Sequence, residues 1–423
     1  MGEWVTVRKG FLPVREFGTF GGAVRLLLVQ QFTVNAAFYL LMPYLAAYLS
    51  GDLGLTAWAV GLILGVRNLS QQGMFVVGGL LADRFGYKRL IVFGCLLRTA
   101  GFAALGFVDS LPVLLAASAV TGFAGALFGP AARAYVVREV GDRRVEAFAL
   151  FGLFFQLGMF VGPLIGLVLL AFDFRVVCTV AAVIFAGLAV LQMVALPGSG
   201  SGGAPTAAER PLAEWRRVVA NRPFLLFSTA MIGAHVLMFQ IYLALPLQAQ
   251  RAVPGSGDSV TTTLFVASAA VAAVGQLRVT AWARARWPPR RAIVCGVALM
   301  SASFLPLLAG VTAGPGAGLA ERIAAWAPLV VSTAVLALGT VMVTPFELDT
   351  VARLSDGILP ATYQGLHQTL SGLGVTVGNL VVGALWEASA AVPWLPWLGL
   401  ALVGGCSALA VLALSSVDQP VAR

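Results

Sequence analysis

Charge is what this sequence has least of. Lys, Arg, Asp and Glu make up 11% of its 423 residues, against roughly 25% in an average soluble domain. A water-facing surface cannot be assembled from so few charges, which excludes an ordinary soluble protein. Cysteine and histidine are scarce too, with four and two copies. Cys95, Cys178, Cys295 and Cys406 lie far apart inside apolar runs, a spacing that argues against a disulfide framework or a paired-thiol metal or redox site. No His-Glu-x-x-His pattern, nucleophile elbow or carboxylate pair falls inside those runs, so a membrane-embedded enzyme is not supported and no metal or cofactor is implied. A cleavable leader is not expected, because the first apolar run, at about 25 residues, exceeds the hydrophobic segment of a signal peptide.

Apolar residues are abundant, at 59% of the chain. A hydrocarbon core about 30 Å thick needs roughly 20 of them in a helix. Twelve stretches qualify: 24–49, 58–82, 90–108, 111–137, 147–171, 176–196, 223–248, 260–282, 292–311, 326–347, 363–386 and 394–415. The fold class that follows is an all-α polytopic membrane protein, with a lipid bilayer as its main partner. The net charge of +9 forms no nucleic-acid patch, because the basic residues sit in short runs between spans. Nineteen of them, from Arg8, Lys9 and Arg15 through Arg84, Lys88 and Arg89 to Arg353 and Arg423, fall on one face, against Arg175, Arg251 and Arg322 on the other. The positive-inside rule therefore predicts both termini in the cytoplasm and a multi-pass protein of the cytoplasmic membrane.

Residues 197–222 form the longest polar interruption. A flexible run, Gly198–Gly203, is followed by an amphipathic segment with Leu212, Trp215, Val218 and Val219 on one face. It reads as a linker whose second part lies on the lipid surface, dividing the chain into a six-span half at 1–196 and another at 223–423. The halves share features. Tyr39-Leu40-x-x-Pro43 recurs as Tyr242-Leu243-x-x-Pro246, Arg84, Lys88 and Arg89 as Arg286, Arg290 and Arg291, Pro130 as Pro345, and Gly158 with Gly162 as Gly374 with Gly378. Two such bundles can rock about a midplane site, and the equivalent prolines of spans 1, 4, 7 and 10 suit local bending.

After span 2 the chain reads Gly79-Leu-Leu-Ala-Asp83-Arg84-Phe-Gly86-Tyr-Lys88-Arg89. This resembles the loop 2–3 signature of the major facilitator superfamily, with Tyr87 at a usually basic place. The resemblance implies two six-helix bundles with pseudo-two-fold symmetry and a cytoplasmic gate at Gly79, Asp83, Arg84, Gly86, Lys88 and Arg89, with Arg133 of span 4 as a partner for Asp83. In the second half Ala285 replaces the aspartate. Span 5 carries Gly158-x-x-x-Gly162-Pro163-x-x-Gly166, which is similar to the antiporter signature of the superfamily's exporters, with Leu167 in place of its final glycine. Val66-Arg67-Asn68-Leu-Ser-Gln71-Gln72-Gly73 looks like the Mdt-type multidrug-resistance branch of the twelve-span drug:proton antiporters. A small-molecule substrate, coupling protons and a monomer are implied.

Proton coupling needs a titratable group near the substrate path. None of the 18 acidic residues falls in the middle of a predicted span, and Glu347 and Asp349 come closest, at the end of span 10. Histidine as a residue type titrates near neutral pH, so His235 and His367, both within spans, join Glu347 as candidate proton carriers, although each alone also reads as a packing histidine. Arg67 and Arg98 lie deep in spans 2 and 3. A deep charge is a functional candidate, so Arg67 is placed opposite an anionic substrate group and Arg98 is read as structural. Gln31, Asn35, Gln156, His235 and Gln240 complete the candidate substrate contacts. Two readings follow: proton-driven export of small amphipathic compounds, or a facilitator or symporter of a small organic anion.

Overall fold

A computed structural model describes residues 13–197, 211–252, 258–310, 318–355, 357–389 and 391–414. The Gly198–Gly203 run, Arg8, Lys9, Arg210 and Arg423 lie outside them. The described residues are helical and contain no strand. Twelve helical segments match the twelve expected spans: Gly22–Gly51, Ala57–Phe85, Tyr87–Phe107, Leu111–Val140, Arg144–Leu170 and Phe174–Ala195, then the broken seventh span, then Asp258–Arg286, Pro289–Ala302 with a 3-10 turn to Ala309, Leu319–Leu354, Pro360–Ala388 and Leu395–Ala413. Helices are what an apolar solvent requires, since each satisfies its own backbone hydrogen bonds.

Two hydrophobic clusters organise the molecule. One draws almost wholly on Phe20 to Leu196, with Leu277, Leu348 and Ala361 joining from later spans. The other runs from Val218 to Val411, with Val145 joining from span 5. Small residues set the packing inside each. A methyl group on Gly158, Gly162 or Gly166 of span 5 would overlap a backbone carbonyl oxygen of Phe32, Ala36 or Leu40 in span 1, so these glycines are where two helix backbones touch. Their counterparts Gly374 and Gly378 of span 11 press on Ile232 and Val236 of span 7.

Three details depart from the sequence reading. Span 7 is interrupted, as Arg222–Ala230, Ile232–Phe239, a 3-10 turn Gln240–Tyr242 and Ala244–Ala252. Pro246 has no N–H for the Tyr242 carbonyl, and Leu243 leaves the helical region at φ −127°, ψ −76°. The other three equivalent prolines sit inside continuous helices. Second, the amphipathic helix Pro211–Ala220 is docked on protein along one face: Val218 is fully buried and packs, with Trp215, against the second core, while Val219 is exposed. Third, span 10 continues to Leu354, placing Glu347 seven residues inside a helix rather than at its end. The polar run Glu347–Thr350 ends the apolar signal but not the helix, because those side chains are buried against protein.

The halves meet at the basic end, the one bearing loops 2–3, 4–5 and 8–9. Gly79 packs on the Ala361 carbonyl and Gly365 on that of Phe75, and the Val76 N–H donates to Thr369 Oγ1 at 3.2 Å. Span 2 stops at Gly86, whose φ of 92° suits glycine. The turn lets the Tyr87 hydroxyl reach back to Asp83 Oδ1 at 2.9 Å, so the residue that departs from the family's basic pattern orients the aspartate instead. Asp83 then accepts from the Ala361 N–H at 3.2 Å, the Thr362 N–H at 2.7 Å and the Thr362 hydroxyl at 2.7 Å. A carboxylate on the first N–H groups of span 11 is the arrangement that a helix N-terminus favours. The expected pairing with Arg133 is thus replaced: Asp83 spends its oxygens on span 11, and Arg133 lies close enough to Glu347 to feel its charge. Ion pairs finish the closure. Arg144 of span 5 meets Asp349 of span 10 at 3.3 Å, and Glu146 of span 5 pairs with Arg284 of span 8. Arg84 and Arg89 are exposed, and among the described residues neither they nor Lys88 ion-pairs with Asp83.

Packing within a half and packing between halves predict different defects. Gly162→Leu forces an overlap inside the first half. It is expected to lower the melting temperature of the detergent-purified protein, at a cost of about 1–3 kcal/mol or more. Gly79→Leu strikes only the contact between halves. It should leave the melting temperature nearly unchanged and lengthen the distance between spin labels at Phe85 and Ile358, both exposed, in double electron–electron resonance. Equal melting losses without a distance change would contradict this division. Asp83→Asn removes hydrogen bonds to a charged group worth roughly 1.5–3 kcal/mol each, so it should raise the open population at least tenfold in the same distance measurement, and an unchanged distribution would contradict the latch.

Candidate functional site

Span 11 begins at Pro360, after Leu359 has turned the chain through a left-handed conformation (φ 53°). Its inward face then presents Tyr363, Gln364 and His367, all buried. His367 is fully buried among three spans: its Nδ1 lies 3.1 Å from Ser228 Oγ of span 7 and its Nε2 2.9 Å from Glu347 Oε1 of span 10. His235, one turn beyond Met231 on span 7, approaches the same oxygen at 3.6 Å through Nε2, while its Nδ1 lies 3.1 Å from the Met231 carbonyl oxygen. The two rings stand edge to face with centroids 5.7 Å apart. Side-chain exposures of 0% for His367, 7% for Glu347 and 12% for His235 place the group inside the protein. Arg133, from the other half, completes it electrostatically, with Nε and Nη1 buried and unbonded.

The chemistry of this cluster follows from its bonds. A carbonyl oxygen only accepts, so His235 carries a proton on Nδ1. A neutral His235 ring then turns a lone pair toward Glu347, and so does His367 if its Nδ1 is the donor to Ser228. Two lone pairs facing one carboxylate oxygen repel, and a shared proton turns that repulsion into a charge-assisted hydrogen bond. Three groups able to share protons thus face one another in a medium where an unpaired charge is costly. Adjoining it is a narrow cleft lined by Ala234, Met238, Met300, Thr340 and Thr344.

A second group lies elsewhere on the seam. Arg67 donates through Nη2 to Gln71 Oε1 at 3.0 Å, and its guanidinium carbon is 4.5 Å from the centre of the Phe38 ring. Arg98 packs against the same ring at 5.0 Å and against Phe185 at 5.3 Å. Tyr39 of span 1 hydrogen-bonds Tyr242 of span 7, so the repeat-equivalent tyrosines meet beside Arg67.

The candidate residues therefore fall into separate sets. His235, His367 and Glu347 come together with Arg133. Arg67 stands with Arg98 and Phe38, not with the histidines. Asn35 is buried and donates to the Gln31 carbonyl at 2.6 Å, one turn back in span 1. Gln240 is buried and ties its own helix to Asn379 of span 11 at 3.2 Å. Gln31 and Gln240 each retain an unbonded buried side-chain oxygen, whereas Gln156 is half-buried on span 5. Sequence reasoning missed Ser228, Gln71, Phe38 and the meeting of Tyr39 with Tyr242. Gln71 left a signal in the Val66–Gly73 stretch and the tyrosines in the repeat of Tyr-Leu-x-x-Pro, whereas Ser228 and Phe38 left none.

Comparison with known proteins agrees with this architecture. The Major Facilitator Superfamily model matches residues 27–379. An uncharacterized MFS-type transporter of Mycobacterium tuberculosis is 48% identical over 406 residues, covering 95% of this chain and 94% of that protein. The multidrug resistance protein MdtH of Salmonella arizonae is 28% identical over 388 residues, covering 91% and 92%. Among solved structures, the human organic anion transporter MFSD10 superposes with a TM-score of 0.66 at 15% identity, covering 95% of this chain and 100% of that one. The E. coli fucose:proton symporter FucP does so at 0.69 and 15%, covering 93% and 98%. These two likenesses are of fold. With its family pattern matched from span 1 to span 11 on a twelve-span helical fold, this chain belongs to the major facilitator superfamily of membrane transporters.

Proposed function

We propose that the protein is a proton-coupled exporter of small amphipathic compounds, working by alternating access between halves 1–196 and 223–423 about the 197–222 linker. The observation that carries this reading is the buried His235–Glu347–His367 cluster. It stores a proton two residues from Asp349, whose pairing with Arg144 helps close the basic end. Opening that end pulls span 10 away from span 5 and withdraws Arg133 from Glu347, so the gate and the proton site move together. Export rather than uptake is supported by the Gly158–Gly166 packing face and by the MdtH relatives, whose name describes multidrug resistance. The protein acts as a monomer in the cytoplasmic membrane, with the basic face and both termini in the cytoplasm. The second reading, passage of a small organic anion by facilitation or symport, is favoured by one observation, the deep Arg67.

Inside-out vesicles test the primary reading. Uptake of fluorescent compounds should collapse with a protonophore and fall at least tenfold in Glu347→Gln, while counterflow exchange without a gradient survives in that variant. Undiminished uptake in the presence of protonophore would contradict proton coupling. A reporter active only in the cytoplasm, fused after Arg423, should be active; the opposite result would invert the orientation and with it the direction of transport.

A further inference from the structure

We propose that Arg67 and Arg98 form the docking site for an anionic group, a carboxylate or sulfonate, on a transported organic molecule. The assignment rests on the transport reading above and names the class of substrate.

Both arginines lie deep. Arg67 is ten residues into the Ala57–Phe85 helix, about 15 Å from its start. Arg98 is near the middle of Tyr87–Phe107 and is 6% exposed. They share the Phe38 ring, at 4.5 and 5.0 Å, so two like charges are held close together. Among the described residues no carboxylate forms an ion pair with either one or interacts with it electrostatically; the neighbours acting on them are Tyr39, Cys95 and each other. The Nε atom of each is buried and unbonded. Ring contacts soften such charges but do not neutralise them, and membrane interiors retain unpaired charges where a ligand meets them. The missing partner is therefore an anion that comes and goes.

Its body is organic. The surroundings are rings, Phe38, Tyr39 and Tyr242, the last 48% exposed and lying at the break in span 7. Gln71 holds the Arg67 fork by accepting from Nη2, leaving the remaining guanidinium edge for a planar two-oxygen group. Lipid phosphates sit at the membrane surfaces, away from this depth.

Fluorescein and a rhodamine cation share a ring skeleton and differ in charge. Binding of each to the full purified chain, read by fluorescence polarisation, should favour fluorescein at least tenfold. Arg67→Gln should remove that preference without changing rhodamine binding. If its melting temperature shows that this variant is not folded, Arg67→Lys, which keeps the charge but loses the fork, should still weaken fluorescein severalfold. Fluorescein bound no better than rhodamine, or equally well by the folded variant, would overturn the assignment. Displacement by chloride at matched concentration would overturn it as well, pointing to a small inorganic anion. Gradient-driven uptake of rhodamine with fluorescein excluded would sink this proposal while leaving proton-coupled export intact. Loss of all gradient-driven uptake in the unmodified protein would sink the transport reading instead.

Discussion

The apolar solvent around this protein drives its buried carboxylates toward the seam between the two halves. Backbone groups are satisfied within each helix, but the carboxylates and guanidiniums that survive in the spans need partners shielded from lipid. Asp83 finds the first N–H groups of span 11, Asp349 finds Arg144, and Glu347 finds two histidines and Arg133. Each of these groupings except the His–Glu bonds joins one half to the other. The contacts that hold the basic end shut are thus the same ones that make deep charge tolerable, and they cannot be broken without supplying something in exchange. In a transporter that something is water, a proton or a substrate.

The halves are alike in packing and unlike in chemistry. Span 5 meets span 1 through Gly158 and Gly162, and span 11 meets span 7 through Gly374 and Gly378. The latch aspartate belongs to the first half alone, since Ala285 stands at the second half's position, and its target is the start of span 11. The titratable cluster belongs to the second half, with Arg133 reaching it from the first. The charged groups are therefore divided unequally between the bundles and gather where they touch. The break at Tyr242–Leu243 is a further asymmetry, placing a non-helical turn beside Arg67.

Much of this was legible in the sequence because it depends on repeating local patterns. Span positions follow from apolar run length, and most observed segments lie within a few residues of expectation, whereas span 10 is longer at both ends, from Leu319 to Leu354. There, Glu347, Asp349 and Thr350 look like a helix end and are instead its core-facing side. Long-range pairings were not legible. Nothing local distinguishes Arg133 as a neighbour of Glu347 rather than of Asp83, because both carboxylates sit near the same face and only the packing of spans 2 and 11 decides between them. Arg98 likewise read as structural, and its sharing of the Phe38 ring with Arg67 depends on how spans 1, 2 and 3 cross.

The account turns on a proton held between Glu347 and two rings, and the chain is well suited to direct observation because it contains two histidines. Nitrogen-15 magnetic resonance of the histidine-labelled protein in lipid reports which ring nitrogens carry hydrogen. The prediction is that in the closed form at least one Nε2 bears a proton bonded to Glu347, and that Glu347→Gln shifts both rings. Two neutral rings with bare Nε2 atoms, unchanged by that substitution, would contradict the central claim.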